Sequence, residues 1–181
     1  MKKISKIVIL AAVLVFAVAL AGCSQGGDSS SKSEKKIGTA TDGNEVKIET
    51  ASMNLVKAVD EGKYNLVDTE ELKGWIDNKE DMIIIDTMPK KSFDKNRIPG
   101  AKNAELPVKM EDVTPEQKDA FLKAIGTDTS KKLVIYCGFV GCERSHVGAL
   151  IAQEAGFTNV YRQPGGIAAW MAAGYDVESA K

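Results

Sequence analysis

The sequence predicts an α/β fold in which helices cover both faces of a mostly parallel sheet. Two continuous apolar runs, at 82–85 and 133–136, have the length and composition of buried strands. Segments with apolar residues at helical spacing follow strand candidates repeatedly along the chain, without an evident internal repeat. This alternation is typical of parallel sheets, because two parallel strands need a crossover connection, which is usually a helix.

Local signals predict the elements of the first half of this fold. The predicted elements are, in order, a helix at 51–59, a strand at 65–67, a helix at 69–78, a strand at 82–85 and a strand near 102–104. Gly62 ends the first helix, and Asp68 or Thr69 can cap the second one. The turn Ile98-Pro99-Gly100-Ala101 leads into the last of these strands.

The second half continues the same alternation. Its predicted elements are a helix at 115–125, a strand at 133–136, a helix at 144–155, a strand at 159–162 and a helix at 167–173. Thr114 caps the first of these helices, with Pro115 at its first position. Gly126, Gly156 and Gly174 mark the three helix ends.

The N-terminus has the pattern of a cleaved leader. Three lysines precede an apolar stretch at 7–21, which is shorter than a membrane-spanning helix and ends in Leu20-Ala21-Gly22-Cys23. This motif resembles the lipobox of bacterial lipoproteins. The resemblance implies cleavage before Cys23 and attachment of diacylglycerol and a fatty acyl chain such as palmitate to that cysteine. Several acyl chains predict stable anchoring at the extracytoplasmic face of the cell membrane.

Four segments are therefore expected. They are a signal peptide at 1–22, a lipidated cysteine and flexible tether at 23–50, a helical extension at 51–63 and a folded domain at 64–181. Without the three leader lysines, acidic residues exceed basic residues by four, from 25 acidic and 24 basic residues in the whole chain. The sequence has no block of basic residues that would indicate nucleic-acid binding, and its single histidine argues against a site for zinc or another metal.

Cys137 is the predicted nucleophile. It follows the strand at 133–136 and precedes a glycine-containing loop and a helix that starts at Arg144. Backbone N–H groups and the positive end of a helix dipole converge at such a position, and they favour a thiolate. Arg144 would place a guanidinium charge near this thiolate, and Ser145 either caps the helix or donates its hydroxyl to the loop. His146 is left outside the primary site.

Cys142 leaves two alternatives open. It is a second thiol five positions after Cys137, within possible disulfide reach, or it simply fills the loop. Its position two residues before Arg144 argues against it as the main nucleophile, because few intervening amides remain to surround its sulfur.

With these residues in place, the segment 65–177 resembles the rhodanese-like (sulfurtransferase) family. The matching residues are Asp86, Phe93, Ile98 to Ala104, Tyr136-Cys137, Arg144-Ser145, Gly165 to Trp170 and Gly174-Tyr175. The resemblance implies a five-stranded α/β domain that needs no cofactor. It further implies that Cys137 takes sulfane sulfur from thiosulfate or polysulfide as a persulfide and passes it to a thiol or cyanide. The implied substrate-binding loop comprises Gly138, Phe139, Val140, Gly141, Cys142, Glu143 and Ser145.

The sequence also departs from the family pattern. Met88 and Arg97 stand where an arginine and a histidine are common, and Arg144 lies seven rather than five positions after Cys137. The two extra residues enlarge the loop, so the substrate does not follow by analogy. A dithiol redox protein that uses Cys137 and Cys142 is an alternative. A sulfur-carrying or anion-binding module without turnover is another, and no protein partner can be named.

Overall fold

The computed structural model describes residues 43–180, which form a single five-stranded parallel sheet with flanking helices. The strands are β1 (Asn65–Leu66), β2 (Met82–Asp86), β3 (Lys102–Asn103), β4 (Lys132–Tyr136) and β5 (Val160–Gln163). Their order across the sheet is β1-β5-β4-β2-β3, and every pairing of named strands is parallel. The predicted fold class is confirmed, and β4 lies at the centre of the sheet.

Six α-helices and one 3₁₀ helix connect these strands within the described residues. They are α1 (Glu45–Gly62), α2 (Thr69–Asp77), α3 (Lys90–Lys95), the 3₁₀ helix (Met110–Asp112), α4 (Pro115–Ile125), α5 (Arg144–Glu154) and α6 (Gly166–Ala172). The short α3 and the 3₁₀ helix were not predicted, because neither is long enough to show an apolar period. Helix α1 begins six residues before the expected start at 51, so residues 45–50 are helical and not part of the tether.

The two faces of the sheet are buried against different helices. Leu133 and Ile135 of β4 pack in one cluster with Phe121 of α4 and Ile151 of α5. Val134 and Tyr136 point to the opposite face, where they pack with Leu72 of α2 and Trp170 of α6. This alternation follows from the two-residue period of a strand. Each buried aliphatic side chain contributes about 1.5–3 kcal/mol of transfer free energy, so β4 is held firmly on both sides.

Side-chain caps define two of the helix starts. Thr114 caps α4, as the sequence predicts, and it forms a capping box with Gln117. Asp68, not Thr69, caps α2, because its carboxylate accepts a hydrogen bond of 2.8 Å from the Glu71 N–H.

Arg97 lies in an antiparallel bridge with Glu178 and forms an ion pair with it at 3.1 Å.

Within residues 43–180, none of the helices combines the length and apolar character that crossing a membrane requires. The predicted signal peptide, the lipidated Cys23 and the tether up to residue 42 lie outside the described residues.

Candidate active-site loop

Residues 137–143 form a loop between β4 and α5, at the carboxyl end of the central strand. The start of α6 holds the first part of this loop. The Ile167 N–H donates to the Cys137 carbonyl at 3.0 Å, and the Ala168 N–H donates to the Gly138 carbonyl at 3.0 Å. The loop therefore starts from a fixed backbone, which is the condition for placing a reactive side chain.

Cys137 is the first residue of the loop, and its side chain is buried. Its thiol donates to the Cys142 carbonyl oxygen at 2.9 Å, and its Sγ lies 3.3 Å from the Ser145 Oγ. Burial raises the pKa of Cys137 above the ordinary thiol value, while the Ser145 hydroxyl opposes this shift. Burial and the contact with the Cys142 carbonyl oxygen both favour the thiol form of Cys137 in this conformation.

Hydrogen bonding within the loop favours the thiolate form of Cys142. Hydrogen bonding with the Cys137 thiol lowers the pKa of Cys142 to about 5, and N–H groups of Gly138 and Arg144 and the Arg144 side chain add to the effect. Amides on both sides of Cys142 thus contribute to this shift, where the sequence analysis expected few amides to surround its sulfur. Cys137 and Cys142 are both free cysteines.

Arg162 of β5 lies fully buried beneath the loop. Its guanidinium donates to the Ser145 Oγ at 2.8 Å, to the Cys142 carbonyl at 2.9 Å and to the Tyr64 hydroxyl at 3.2 Å. Its charge partner is Glu143, at 3.6 Å. Sequence reasoning treated Arg162 only as part of a strand. The available signal was a charged residue in a strand expected to be buried on both faces.

A chain of polar contacts runs from Arg162 toward the surface. The Tyr64 hydroxyl lies 3.0 Å from the His146 Nδ1, and the His146 Nε2 lies 3.6 Å from the Glu61 carboxylate. Burial lowers the pKa of His146, which favours the neutral imidazole. His146 thus joins Glu61 to Tyr64, whose hydroxyl accepts a hydrogen bond from Arg162.

The remaining predicted loop residues lie around the two thiols. Phe139 is exposed, Val140 is half-buried, and Gly141 lines with Phe139 and residues of α1 a surface cavity of about 300 Å³. Ser145 is buried in the first turn of α5 and contacts Cys137, so the alternative of a hydroxyl donated to the loop is the one that the structure supports. Arg144 opens the same helix, and its buried Nε has no hydrogen-bond partner among the described residues.

Asp86 lies at the end of β2, beside the loop. Its Oδ1 accepts a hydrogen bond of 2.8 Å from the Met88 N–H, while its buried Oδ2 has no partner in residues 43–180. Burial raises the pKa of Asp86 to about 6. Met88, which replaces the arginine common in the family, packs near the loop, since a Cβ at Gly138 would lie 3.2 Å from the Met88 sulfur.

Comparison with known proteins agrees with this architecture. The sequence model described as Rhodanese-like domain matches residues 68–173. No curated protein is a significant match.

Several solved structures are similar in fold. The Alr3790 protein from Anabaena sp. is 23% identical with a TM-score of 0.51, over 63% of this chain and 92% of that one. The polysulfide-sulfur transferase homodimer from Wolinella succinogenes is 17% identical with a TM-score of 0.53, over 77% of this chain and 94% of that one. A thiosulfate sulfurtransferase from Pseudomonas aeruginosa is 16% identical with a TM-score of 0.56, over 73% of this chain and 23% of its own. At these identities the likeness concerns the fold.

Proposed function

The chain belongs to the rhodanese-like domain family, a family of sulfurtransferase type, and we propose that it transfers sulfane sulfur through a persulfide on Cys137. The observation that carries this proposal is the position of Cys137. Its sulfur stands at the carboxyl end of the central strand, next to a buried hydroxyl and inside a loop closed by a helix that starts with an arginine. This environment can stabilise an anionic sulfur once the proton has left.

The proposed reaction has two displacement steps. The Cys137 thiolate attacks the outer sulfur of thiosulfate, the sulfur–sulfur bond breaks, and sulfite leaves with the electron pair. A thiolate or cyanide then attacks the outer sulfur of the Cys137 persulfide, and the Cys137 thiolate leaves. Polysulfide can replace thiosulfate as the donor, with a shorter polysulfide as the leaving group. Arg144 is the proposed cation for the anionic donor, since it begins α5 next to the loop.

We further propose that the reaction takes place outside the cytoplasm on a lipid-anchored protein. The support is the sequence Leu20-Ala21-Gly22-Cys23 after a basic and apolar leader. The polar segment 24–36 would then separate the domain from the membrane surface.

Mass spectrometry of the full chain after treatment with thiosulfate tests the proposal. The expected result is one added sulfur atom on the peptide that contains Cys137, removed by cyanide. Cys137→Ser should lose sulfur uptake and transfer while keeping its circular dichroism spectrum, because an alcohol forms no persulfide. The matched variant Cys142→Ser should still take up sulfur. Uptake on Cys142, or full transfer by Cys137→Ser, contradicts the assignment.

A dithiol redox function is the second candidate, because the Cys137 thiol donates to the Cys142 backbone carbonyl at 2.9 Å and hydrogen bonding lowers the pKa of Cys142. The Cys142 thiolate would attack the inner sulfur of the Cys137 persulfide, form a Cys137–Cys142 disulfide and release hydrosulfide. Under the sulfurtransferase proposal, Cys142→Ser keeps transfer to an external acceptor and lengthens the lifetime of the persulfide. If this variant loses turnover and the wild type accumulates the disulfide during the reaction, the dithiol function replaces the sulfurtransferase.

A further inference from the structure

The buried guanidinium of Arg162 is connected to both cysteines of the loop. Its Nε–H reaches the Ser145 Oγ at 2.8 Å, and this oxygen lies 3.3 Å from the Cys137 Sγ. One of its terminal N–H groups reaches the Cys142 carbonyl at 2.9 Å, and the same carbonyl accepts the Cys137 thiol at 2.9 Å. Two separate routes therefore connect the charge of Arg162 to the sulfur of Cys137. Each route passes through one intervening group.

The first route orients a hydroxyl hydrogen. A guanidinium can only donate hydrogen bonds, so the Ser145 oxygen accepts the one from Arg162. The hydroxyl hydrogen remains available, and Cys137 Sγ lies within its reach. A hydroxyl that already accepts from a cation is also a stronger donor, because consecutive hydrogen bonds polarise one another.

The second route concerns a buried carbonyl. When Cys137 is a thiol, the Cys142 carbonyl accepts two hydrogen bonds, one from the thiol and one from Arg162. When Cys137 becomes a thiolate or a persulfide anion, the thiol donor is lost and the carbonyl oxygen faces a negative sulfur. Arg162 then remains as a donor to that carbonyl, and it offsets both the lost hydrogen bond and the repulsion.

We propose that Arg162 is a positioning residue that favours the anionic form of the Cys137 sulfur, through the Ser145 hydroxyl and the Cys142 carbonyl. The inference rests on the proposed function only in naming Cys137 as the sulfur carrier. Arg162 does not touch the sulfur itself, so it acts through these two groups. Glu143 balances the buried charge incompletely, since one of its carboxylate oxygens lies 3.6 Å from Arg162 and the other is buried without a partner within residues 43–180.

The rate at which iodoacetamide alkylates Cys137, measured against pH, tests this inference. Alkylation joins the thiolate sulfur to carbon and releases iodide, so the midpoint of the pH profile reports ionisation and the plateau at high pH reports access. The Cys142→Ser full chain is the background, which removes the coupled second thiol, and mass spectrometry of the Cys137 peptide excludes signal from Cys23. The other titratable or charged groups around the two sulfurs and Arg162 remain in place, namely Glu61, Tyr64, Asp86, Glu143, Arg144 and His146.

Arg162→Met should raise the midpoint by about one pH unit or more, the effect expected from the loss of a hydrogen-bonded charge. Ser145→Ala should raise it as well. The double variant should shift by less than the sum of the two, because both substitutions remove part of the same connection. Arg97→Met is the matched control, since it removes another ion-paired arginine, whose hydrogen bonds go to Glu178 and Ser179, and its midpoint should stay unchanged.

Arg162→Lys covers the case in which Arg162→Met does not fold. Lysine keeps the charge but cannot make all three hydrogen bonds of the guanidinium, so the midpoint of this variant should rise by less than one pH unit. The inference is overturned if the folded Arg162 variants change only the plateau, if Ser145→Ala leaves the midpoint unchanged, or if the two shifts are additive. The midpoint is independent of sulfur transfer. A shifted midpoint without sulfur uptake on Cys137 would therefore refute the proposed function and support the role of Arg162.

Discussion

Gly166 is the residue at which the fold constrains the active-site loop most closely. It begins α6 with a φ of 63°, a left-handed conformation that side chains rarely adopt. A Cβ at this position would overlap the carbonyl oxygen of Cys137 and lie 2.5 Å from the carbonyl carbon of Gly138. Gly166→Ala should therefore displace the first two residues of the loop.

The cost can be worked from these contacts. The left-handed conformation costs a residue with a Cβ about 1–2 kcal/mol. Moving the loop away from α6 breaks the hydrogen bonds from Ile167 and Ala168 to the loop carbonyls, at about 0.5–1.5 kcal/mol each. The sum is about 2–5 kcal/mol, a large part of the 5–15 kcal/mol that is typical of folded domains.

Gly174→Ala is the matched control. Gly174 has a φ of 76°, but apart from the adjoining backbone no described atom lies within 4 Å of its Cβ position. This variant should lose only the conformational term of about 1–2 kcal/mol and keep sulfur uptake on Cys137. Thermal unfolding measures the difference, since 1 kcal/mol corresponds to about 2–5 °C in a domain of this size. Equal melting temperatures and equal sulfur uptake for the two variants would refute the reasoning.

Three further predictions concern Asp86, Arg144 and Cys23. Burial raises the pKa of Asp86 from 3.8 to about 6, so its contribution to the free energy of unfolding is fully present below about pH 4 and is lost as the pH rises to about 6. The stability of the wild type relative to Asp86→Asn should fall across this range in denaturant titrations, and a constant difference would contradict the shift. Arg144→Ala should slow transfer from thiosulfate more than from an uncharged sulfur donor, by steady-state rates, whereas equal losses would indicate a structural role. Cys23→Ser should abolish incorporation of labelled fatty acid, and undiminished labelling would exclude the lipoprotein assignment.

The elements predicted correctly are those whose signals are local. β2 and β4 are continuous apolar runs, and α4 has a cap, a proline and a terminal glycine within its own sequence. The start of α1 was missed because residues 45–50 are all exposed and show no apolar face. A surface turn of helix whose residues all stay exposed has no burial pattern for periodicity to detect.

The candidate site was predicted only in part, because only some of its residues are neighbours along the chain. The strand, loop and helix around Cys137 are consecutive, so their order could be inferred from the sequence alone. The contacts of Arg162 could not, because they join residues of β5, α5, the loop and Tyr64, which are far apart along the chain. The direction in which a loop carbonyl points depends on the backbone dihedral angles. In a seven-residue loop the residue types do not determine these angles.

The length of the loop and the buried arginine are physically linked. The turn from Phe139 to Cys142 is closed by a hydrogen bond of 2.9 Å between the Cys142 N–H and the Phe139 carbonyl. This turn directs the Cys142 carbonyl inward, toward Cys137, where an oxygen acceptor would oppose negative charge on sulfur. A loop that surrounds an anionic sulfur with N–H groups alone would need no additional hydrogen-bond donor beneath it. With a carbonyl in this position, a donor beneath the loop becomes necessary, and Arg162 is the group that supplies it.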